Sequence, residues 1–294
     1  MPSTTGTPAT GASDRLAAEA GIRTVQLGDL RISYVPDGAV ALKPRTWLLG
    51  SPAGFWDAHP EYLDATGNLV ASIGGLLVEH GDRALLVDAG VGPRTWPDDP
   101  AKPFGAAHGG ALLDGLAALG RDPASIEAVA VTHLHSDHVG WLWPAAPDRR
   151  PPFADARVLL TAAEWEHRHL SGTGDDILDG FADQVQVVAD GEEVFPGVRV
   201  RATYGHTAGH ATYEITSDGR RLIAFGDALH SPAQIDHPEW SAAPDHDPVL
   251  SAEVRRRLVA DLAEPGTIGF GIHFADVQFG RVVPGTPGWH PEHP

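Results

Sequence analysis

Apolar positions fall in short runs, broken at first by Gly/Asp turns. Residues 22–26 and 31–34 are β-prone and flank Gly28-Asp29, which predicts a hairpin. Residues 72–79 and 84–87 flank His80-Gly81-Asp82-Arg83 and predict a second, whose last strand runs into Asp88-Ala89-Gly90. Residues 36–68 read as a loop, and residues 91–110 as a Pro/Gly-rich one. The aromatics Trp47, Phe55, Trp56 and Tyr62 in the first loop either plug the core's edge or line a pocket. Leu112, Leu113, Leu116 and Leu119 recur at helical spacing up to Gly120. Residues 126–131 and 158–160 read as buried strands, and 162–169 and 177–181 as short helices. His167 and His169, two apart on the first helix, fall on different faces and read as surface residues. Residues 194–203, 211–216 and 221–225 are strands, 249–262 a helix and 267–272 a last buried strand. Such alternation suits an α/β fold of two sheets with helices packed outside.

The chain has 294 residues, 42% hydrophobic and 20% charged, with neither an internal repeat nor a mid-chain linker. One domain over residues 21–294 is expected, behind a disordered leader over residues 1–20 whose start is rich in Ser, Thr, Pro and Gly. That start lacks the basic beginning and apolar stretch of a signal peptide, and no run of about 18 apolar residues spans a membrane. A cytoplasmic protein is the expectation. Charge narrows the partners: 39 acidic against 21 basic residues give −18, a field that repels nucleic acid. The basic runs are Arg149-Arg150 and Arg255-Arg256-Arg257, the latter reading as a solvated helix face. Cysteine is absent, so any metal must rest on nitrogen and oxygen donors.

Candidate chemistry concentrates just past strands. His133, His135, Asp137 and His138 crowd six positions after the 126–131 run. On an extended backbone His133 and His135 point to one side, while Asp137 and His138 follow in a turn. Neutral imidazole and carboxylate are the usual ligands of zinc-like ions. Gly205-His206-Thr207-Ala208-Gly209-His210 follows the strand ending near Thr203, Gly226-Asp227 the strand ending at Phe225, and His273 the last strand. Ligands gathered at one edge of a sheet system can converge on one site.

These pieces resemble the metallo-β-lactamase-fold hydrolases, with matching spacing from about residue 22 to 285. The resemblance implies an αββα sandwich of two mixed β-sheets with helices on the outer faces, carrying a dinuclear site. It implies that His133, His135 and His206 hold one divalent ion, that Asp137, His138 and His273 hold the other, and that Asp227 bridges them. Asp88 matches the family's early strand-end aspartate, and Asp88 and His210 would support the ligands from behind. Zinc suits these donors best; manganese, cobalt or iron also fit them. Water on such a pair of ions ionises near pH 7, a nucleophile that needs neither serine nor cysteine.

Within the family, the C-terminal part looks closest to the lactonase and methyl-parathion-hydrolase branches. Acyl-homoserine lactonases carry a tyrosine three residues after the bridging aspartate; here that position is His230. Asp137, orienting the nucleophile, and His230, on the oxyanion or leaving oxygen, are therefore the catalytic candidates. Trp141, Trp143 and Phe274 are the candidates for walling a substrate pocket. The expected reaction is cleavage of a lactone or carboxylic ester of a small apolar molecule, with organophosphate triesters or thioesters as alternatives. A non-catalytic metal-binding pseudoenzyme would be expected to lack a ligand, and none is missing. Trp/Pro-rich loops near the site are candidates for a homodimer contact.

Overall fold

The computed structural model describes residues 12–143 and 150–292. Period-two alternation sorts its sheet residues onto opposite faces. In the strand Leu69–His80, Leu76 and Val78 turn one way with Ile32, Tyr34, Leu85 and Val87, and meet Val200, Tyr213, Ile215, Leu222 and Ile268 of a second sheet. Leu77 turns the other way with Leu86, Val129 and Val158, against Leu112 and Leu116 of the helix Leu112–Ala118 and Leu178 of the helix Asp175–Asp179. Behind the second sheet, Ile223 packs on Leu258 and Leu262 of the helix Pro248–Leu262. The layers are therefore helix, sheet, sheet, helix, as expected.

In the first sheet Arg83–Val87, Ala128–Ala130, Arg157–Thr161 and Val185–Val188 lie side by side and parallel, and Leu69–His80, Leu30–Leu42 and Phe104–His108 continue it antiparallel. The second runs Glu193–Phe195, Val198–Ala202, Ala211–Ser217, Arg220–Ala224, Thr267–Phe270, Phe279–Val283, Thr286–Pro291. Its one parallel pair is Arg220–Ala224 with Thr267–Phe270. The strands of both sheets that precede the candidate ligands run so that their C-terminal ends open on the same edge.

Residues 36–42 and 104–108, expected in loops, are strand. Pro36 and Gly38 misled because they sit at a bulge: pairing steps from Pro36↔Gly74 to Gly38↔Ile73, leaving Asp37 without a partner residue. The bulge turns the Asp37 carboxylate into the interior. There it accepts hydrogen bonds from the amides of Val91, Gly92, Gly110 and Leu112 and from the Trp141 indole, at 2.8–3.0 Å. The run at 126–131 contracts to Ala128–Ala130, its ends passing into the ligand loop. The strands Val185–Val188, Phe279–Val283 and Thr286–Pro291 carry no signal that alternation alone revealed. From residue 12 the expected leader is docked: Ala12–Arg15 is a helical turn, and Arg15 Nε donates to Asp276 at 2.8 Å. Residues 1–11 lie outside the described part. No described helix is long and apolar enough to cross a membrane.

Because Asp37 is 1% exposed, Asp37→Ala would leave its donors buried without an acceptor. We expect at least ~3 kcal/mol lost in chemical denaturation; a loss under ~1 kcal/mol would mean that water replaces the carboxylate.

Candidate metal centre

One ligand-bearing connection leaves the first sheet's edge. Beyond Ala128–Ala130 the chain stays extended through His135, then makes the helical turn Ser136–Val139. The extended part puts His133 and His135 on one side as anticipated, with His133 Nε2 2.9 Å from His135 Nδ1. The turn swings Asp137 and His138 to the neighbouring position. From the second sheet come His206, Asp227 on the turn Gly226–Ala228, and His273. Gly209 lets its loop lie against residue 164, since a Cβ there would stand 2.0 Å from the Glu164 nitrogen.

The result is two adjoining clusters: His133, His135, His206 and Asp227, and Asp137, His138 and His273. Asp227 faces both. Its Oδ2 lies 3.3 Å from His206 Nε2 and 3.6 Å from His133 Nε2, and its Oδ1 lies 3.2 Å from His138 Nε2 and 3.1 Å from His273 Nε2. Asp137 Oδ2 stands 3.6 Å from His273 Nε2 and 3.7 Å from His138 Nε2. All seven anticipated ligand residues are brought together.

This donor set fits divalent ions. His135 Nδ1 is 3.2 Å from His206 Nε2 and closer still to His133, and tetrahedral bonds of about 2.05 Å put ligand atoms roughly 3.3 Å apart. His138 Nε2 and Asp227 Oδ1 are buried without a hydrogen-bond partner among the described residues. The charges point the same way. Burial drives the His133 and His135 imidazoles down, His135 to about 3. Burial also opposes charge on His138, His206 and His273, but Asp227 and other carboxylates overcome it, raising all three and pushing His206 up to about 9. For Asp227 itself burial is outweighed by the imidazoles of His273, His138 and His230, which hold it well below the carboxylate range. On protein groups alone the carboxylates are thus balanced by imidazolium protons, which a divalent ion would replace.

Several of these side chains are held from behind. His138 Nδ1 meets Asp88 Oδ2 at 2.8 Å, and Asp88 also accepts from the Thr132 amide and hydroxyl. Asp88 has φ +60°, a left-handed conformation uncommon for aspartate, which these bonds hold in place. His273 Nδ1 meets Ser72 O at 2.8 Å. His210, read from sequence as a support behind the ligands, bonds Thr203 Oγ1 through Nδ1 and accepts the Asp227 amide at Nε2, 3.1 Å away. It thus aims Asp227 and, through Thr203, also closes the loop that carries His206.

Sequence reasoning missed three groups. Glu164 accepts from the Leu134 and Gly209 amides and the Thr207 hydroxyl, clasping both ligand loops. Asp245 accepts from His206 Nδ1 at 2.9 Å, and Arg255 pairs with Asp245 at 3.0 Å. Arg255 is fully buried, not part of a solvated face. Its register gave it away: Ser251, Arg255, Leu258 and Leu262 are all buried at helical spacing, the inner face of their helix.

Beside the clusters opens a cavity of about 570 Å³, whose walls include Val40, Leu42, Trp47, Ile73, Trp96 and Phe104. His135, Asp137, Asp227, His230 and His273 border it. None of the three anticipated wall residues does. Trp141 is 5% exposed and spends its indole on Asp37. Phe274 points into the core between Phe225 and Trp289, because the turn after His273 sends neighbouring side chains opposite ways. Trp143 lies against Gly180, where a Cβ would come within 2.7 Å of its ring. Of the first-loop aromatics, Trp47 lines the cavity while Phe55, Trp56 and Tyr62 pack together with Trp240. His167 and His169 are exposed, as expected.

The sequence profile of the Metallo-beta-lactamase superfamily matches residues 76–268, which include six of the seven residues in the two clusters. The chain belongs to this superfamily. It is 30% identical over 224 residues to Metallo-beta-lactamase domain-containing protein 1 of Xenopus laevis, covering 75% of this chain and 80% of that one. Anti-Pycsar protein Apyc1 of Paenibacillus harenae is 30% identical over 135 residues, 42% of this chain and 48% of its own. Among solved structures, the dizinc quorum-quenching lactonase AidC, in complex with a product, superposes with a TM-score of 0.79 at 20% identity, over 95% of this chain and 99% of AidC. The hydrolase AbOPH gives 0.76 at 26% identity, over 93% and 98%. The superfamily member described here is a metal-dependent hydrolase.

Two tests address the cation site. Asp227→Ala removes the carboxylate that faces both clusters, so a chelator should strip bound cation at concentrations the parent withstands; unchanged retention would end its role as a ligand. Because His206 is raised to about 9, it carries a proton on its own at pH 7 that a cation must displace. Binding should then release protons and tighten as pH rises toward 9, visible as a buffer-dependent calorimetric heat. A heat independent of buffer would contradict this charge balance.

Proposed function

We propose that this hydrolase opens a lactone or cleaves a carboxylic ester of a small apolar molecule, using two divalent cations, best matched by zinc. The observation that carries the reading is His230. It borders the cavity, its Nε2 stands 3.1 Å from Asp227 Oδ2, and neither ring nitrogen has a hydrogen-bond partner among the described residues. Burial holds the imidazole below its ordinary range despite Asp227, so it is neutral at pH 7 and keeps one N–H to donate. The Trp47 ring meets it edge-on at 5.5 Å and limits its rotation.

When bound, the cations would activate water and polarise the scissile carbonyl. The side chains do the rest. Asp137, with its carboxylate at the cavity, would orient the attacking water. His230 would give a hydrogen bond to the oxyanion and then to the leaving oxygen, which takes up the proton released by the attacking water. Val40, Leu42, Ile73, Trp96 and Phe104 would bury an acyl or aryl group and keep bulk water from the reacting centre. The cavity's volume admits a small molecule of drug size.

A pH-stat assay on metal-loaded protein tests the reading. The panel holds a medium-chain lactone, N-hexanoyl-homoserine lactone, an aryl ester, a thioester and a methyl phosphotriester. We expect the lactones and ester to turn over fastest; preference for the phosphotriester would replace the proposal. His230→Ala should retain both cations and lower kcat roughly 10²-fold or more. An unchanged kcat would make His230 a bystander.

A further inference from the structure

We propose that Arg255 is a positioning residue that, through Asp245, sets the cation affinity of the cluster formed by His133, His135 and His206. The inference rests on the two-cation reading above. Its basis is a chain of contacts: Arg255 Nη1 to Asp245 Oδ2 at 3.0 Å, then Asp245 Oδ1 to His206 Nδ1 at 2.9 Å, with His206 Nε2 facing Asp227 and His135. Arg255 and Asp245 are wholly buried as side chains.

A buried guanidinium needs every donor direction used, and here it has a dedicated cradle. Nε donates to Pro238 O at 2.8 Å and Nη2 to Ser241 Oγ at 3.1 Å, while Nη1 takes the carboxylate. Lysine has no planar fork to reach these three acceptors at once. Asp245 is placed as firmly, its Oδ2 also accepting the Ala242 amide at 3.1 Å.

The other ligand imidazoles are backed differently. His138 leans on Asp88, which the Thr132 amide and hydroxyl satisfy; His273 leans on the Ser72 carbonyl, and His133 on the Thr132 hydroxyl. Among the described residues, His206 is the ligand imidazole whose supporting carboxylate is itself paired with a buried cation. A carboxylate behind an imidazole fixes the Nδ1–H tautomer and makes Nε2 a stronger donor. Arg255 Nη1 holds Asp245 Oδ2, so that Oδ1 stays aimed at His206 Nδ1. The chain of contacts reaches one cluster: among the described residues it touches His206 and neither His138 nor His273.

The test uses the full chain loaded with Co²⁺ or Zn²⁺ and no substrate. Each equivalent is followed by chelator competition, and the Co²⁺ forms also by their visible absorption. For Arg255→Met we expect one equivalent to leave at a 10–100-fold lower chelator concentration while the other is held as in the parent. Arg255→Lys should restore part of the loss. A folded Arg255→Met that keeps both affinities, or weakens both equally, would overturn the proposal and leave Arg255 a fold-stabilising residue. If Arg255→Met does not fold, Asp245→Asn decides by the same readout: selective loss of one equivalent supports the chain, and unchanged or uniform affinity refutes it. A parent that binds fewer than two equivalents would instead overturn the two-cation reading. A silent substrate panel would leave this result standing.

Discussion

The Asp227 carboxylate has one oxygen on each side of a divided site, and that division governs what surrounds it. Oδ2 faces His133, His206 and His230; Oδ1 faces His138 and His273. An ionised carboxylate at 4% exposure cannot persist without balancing positive charge, and no arginine or lysine makes an ion pair with it among the described residues. Imidazolium protons or divalent ions must supply it. The fold keeps the carboxylate in place through its backbone: His210 accepts the Asp227 amide, and Gly226, at φ +49°, leaves no room for a Cβ beside His210 and Thr132. Such preorganisation means that the donor geometry does not have to be assembled by the cation.

Two sheets are needed because the ligands come from both. The first sheet contributes His133, His135, Asp137 and His138 from one connection; the second contributes His206, Asp227 and His273 from three. A central core that includes Tyr34, Tyr213 and Phe270 fixes the distance between the sheets. Small groups then tie the two sets of loops across the edge. Glu164 bonds Leu134 on one side and Thr207 and Gly209 on the other, while the Ala211 amide donates to Thr132 O at 2.9 Å. Each such link joins a ligand loop of one sheet to a ligand loop of the other, so a slip between the sheets would be felt as a broken hydrogen bond before it displaced an imidazole.

How legible this was depends on whether the information is local. His133 and His135 share a face because of backbone periodicity, and the strand ends of Asp88, His206, Asp227 and His273 are visible as apolar runs giving way to Gly and polar residues. Those features could be read directly. The backing groups could not, since Asp245 and His206 lie 39 positions apart and Glu164 and Leu134 lie 30 apart. The cavity wall failed for another reason. Adjacency to a ligand suggested Trp141 and Phe274, yet successive side chains diverge, and the residues that face His230 come from distant strands. Pro36 and Gly38 compounded the error by disguising the bulge that carries the strand on to Val40 and Leu42.

The wall and the ligands together constrain what reaches the reacting centre. The molecule carries −18 overall, and the cavity adds Asp137 and Asp227 to that field. A pair of divalent ions would reverse the sign at the polar end alone, which favours a neutral substrate with a polarised carbonyl over a polyanion that must cross the acidic surface. The apolar side offers Trp47, Ile73, Trp96 and Phe104, whose worth lies in the area they remove from water, roughly 25 cal/mol for each Å². On the proposed reading, binding energy would accrue on one side while chemistry occurs on the other. His230 stands between the two, with the Trp47 ring against one edge and Asp227 against the other, so a substrate filling the apolar wall would bring its leaving oxygen toward a neutral imidazole able to donate a hydrogen bond to it.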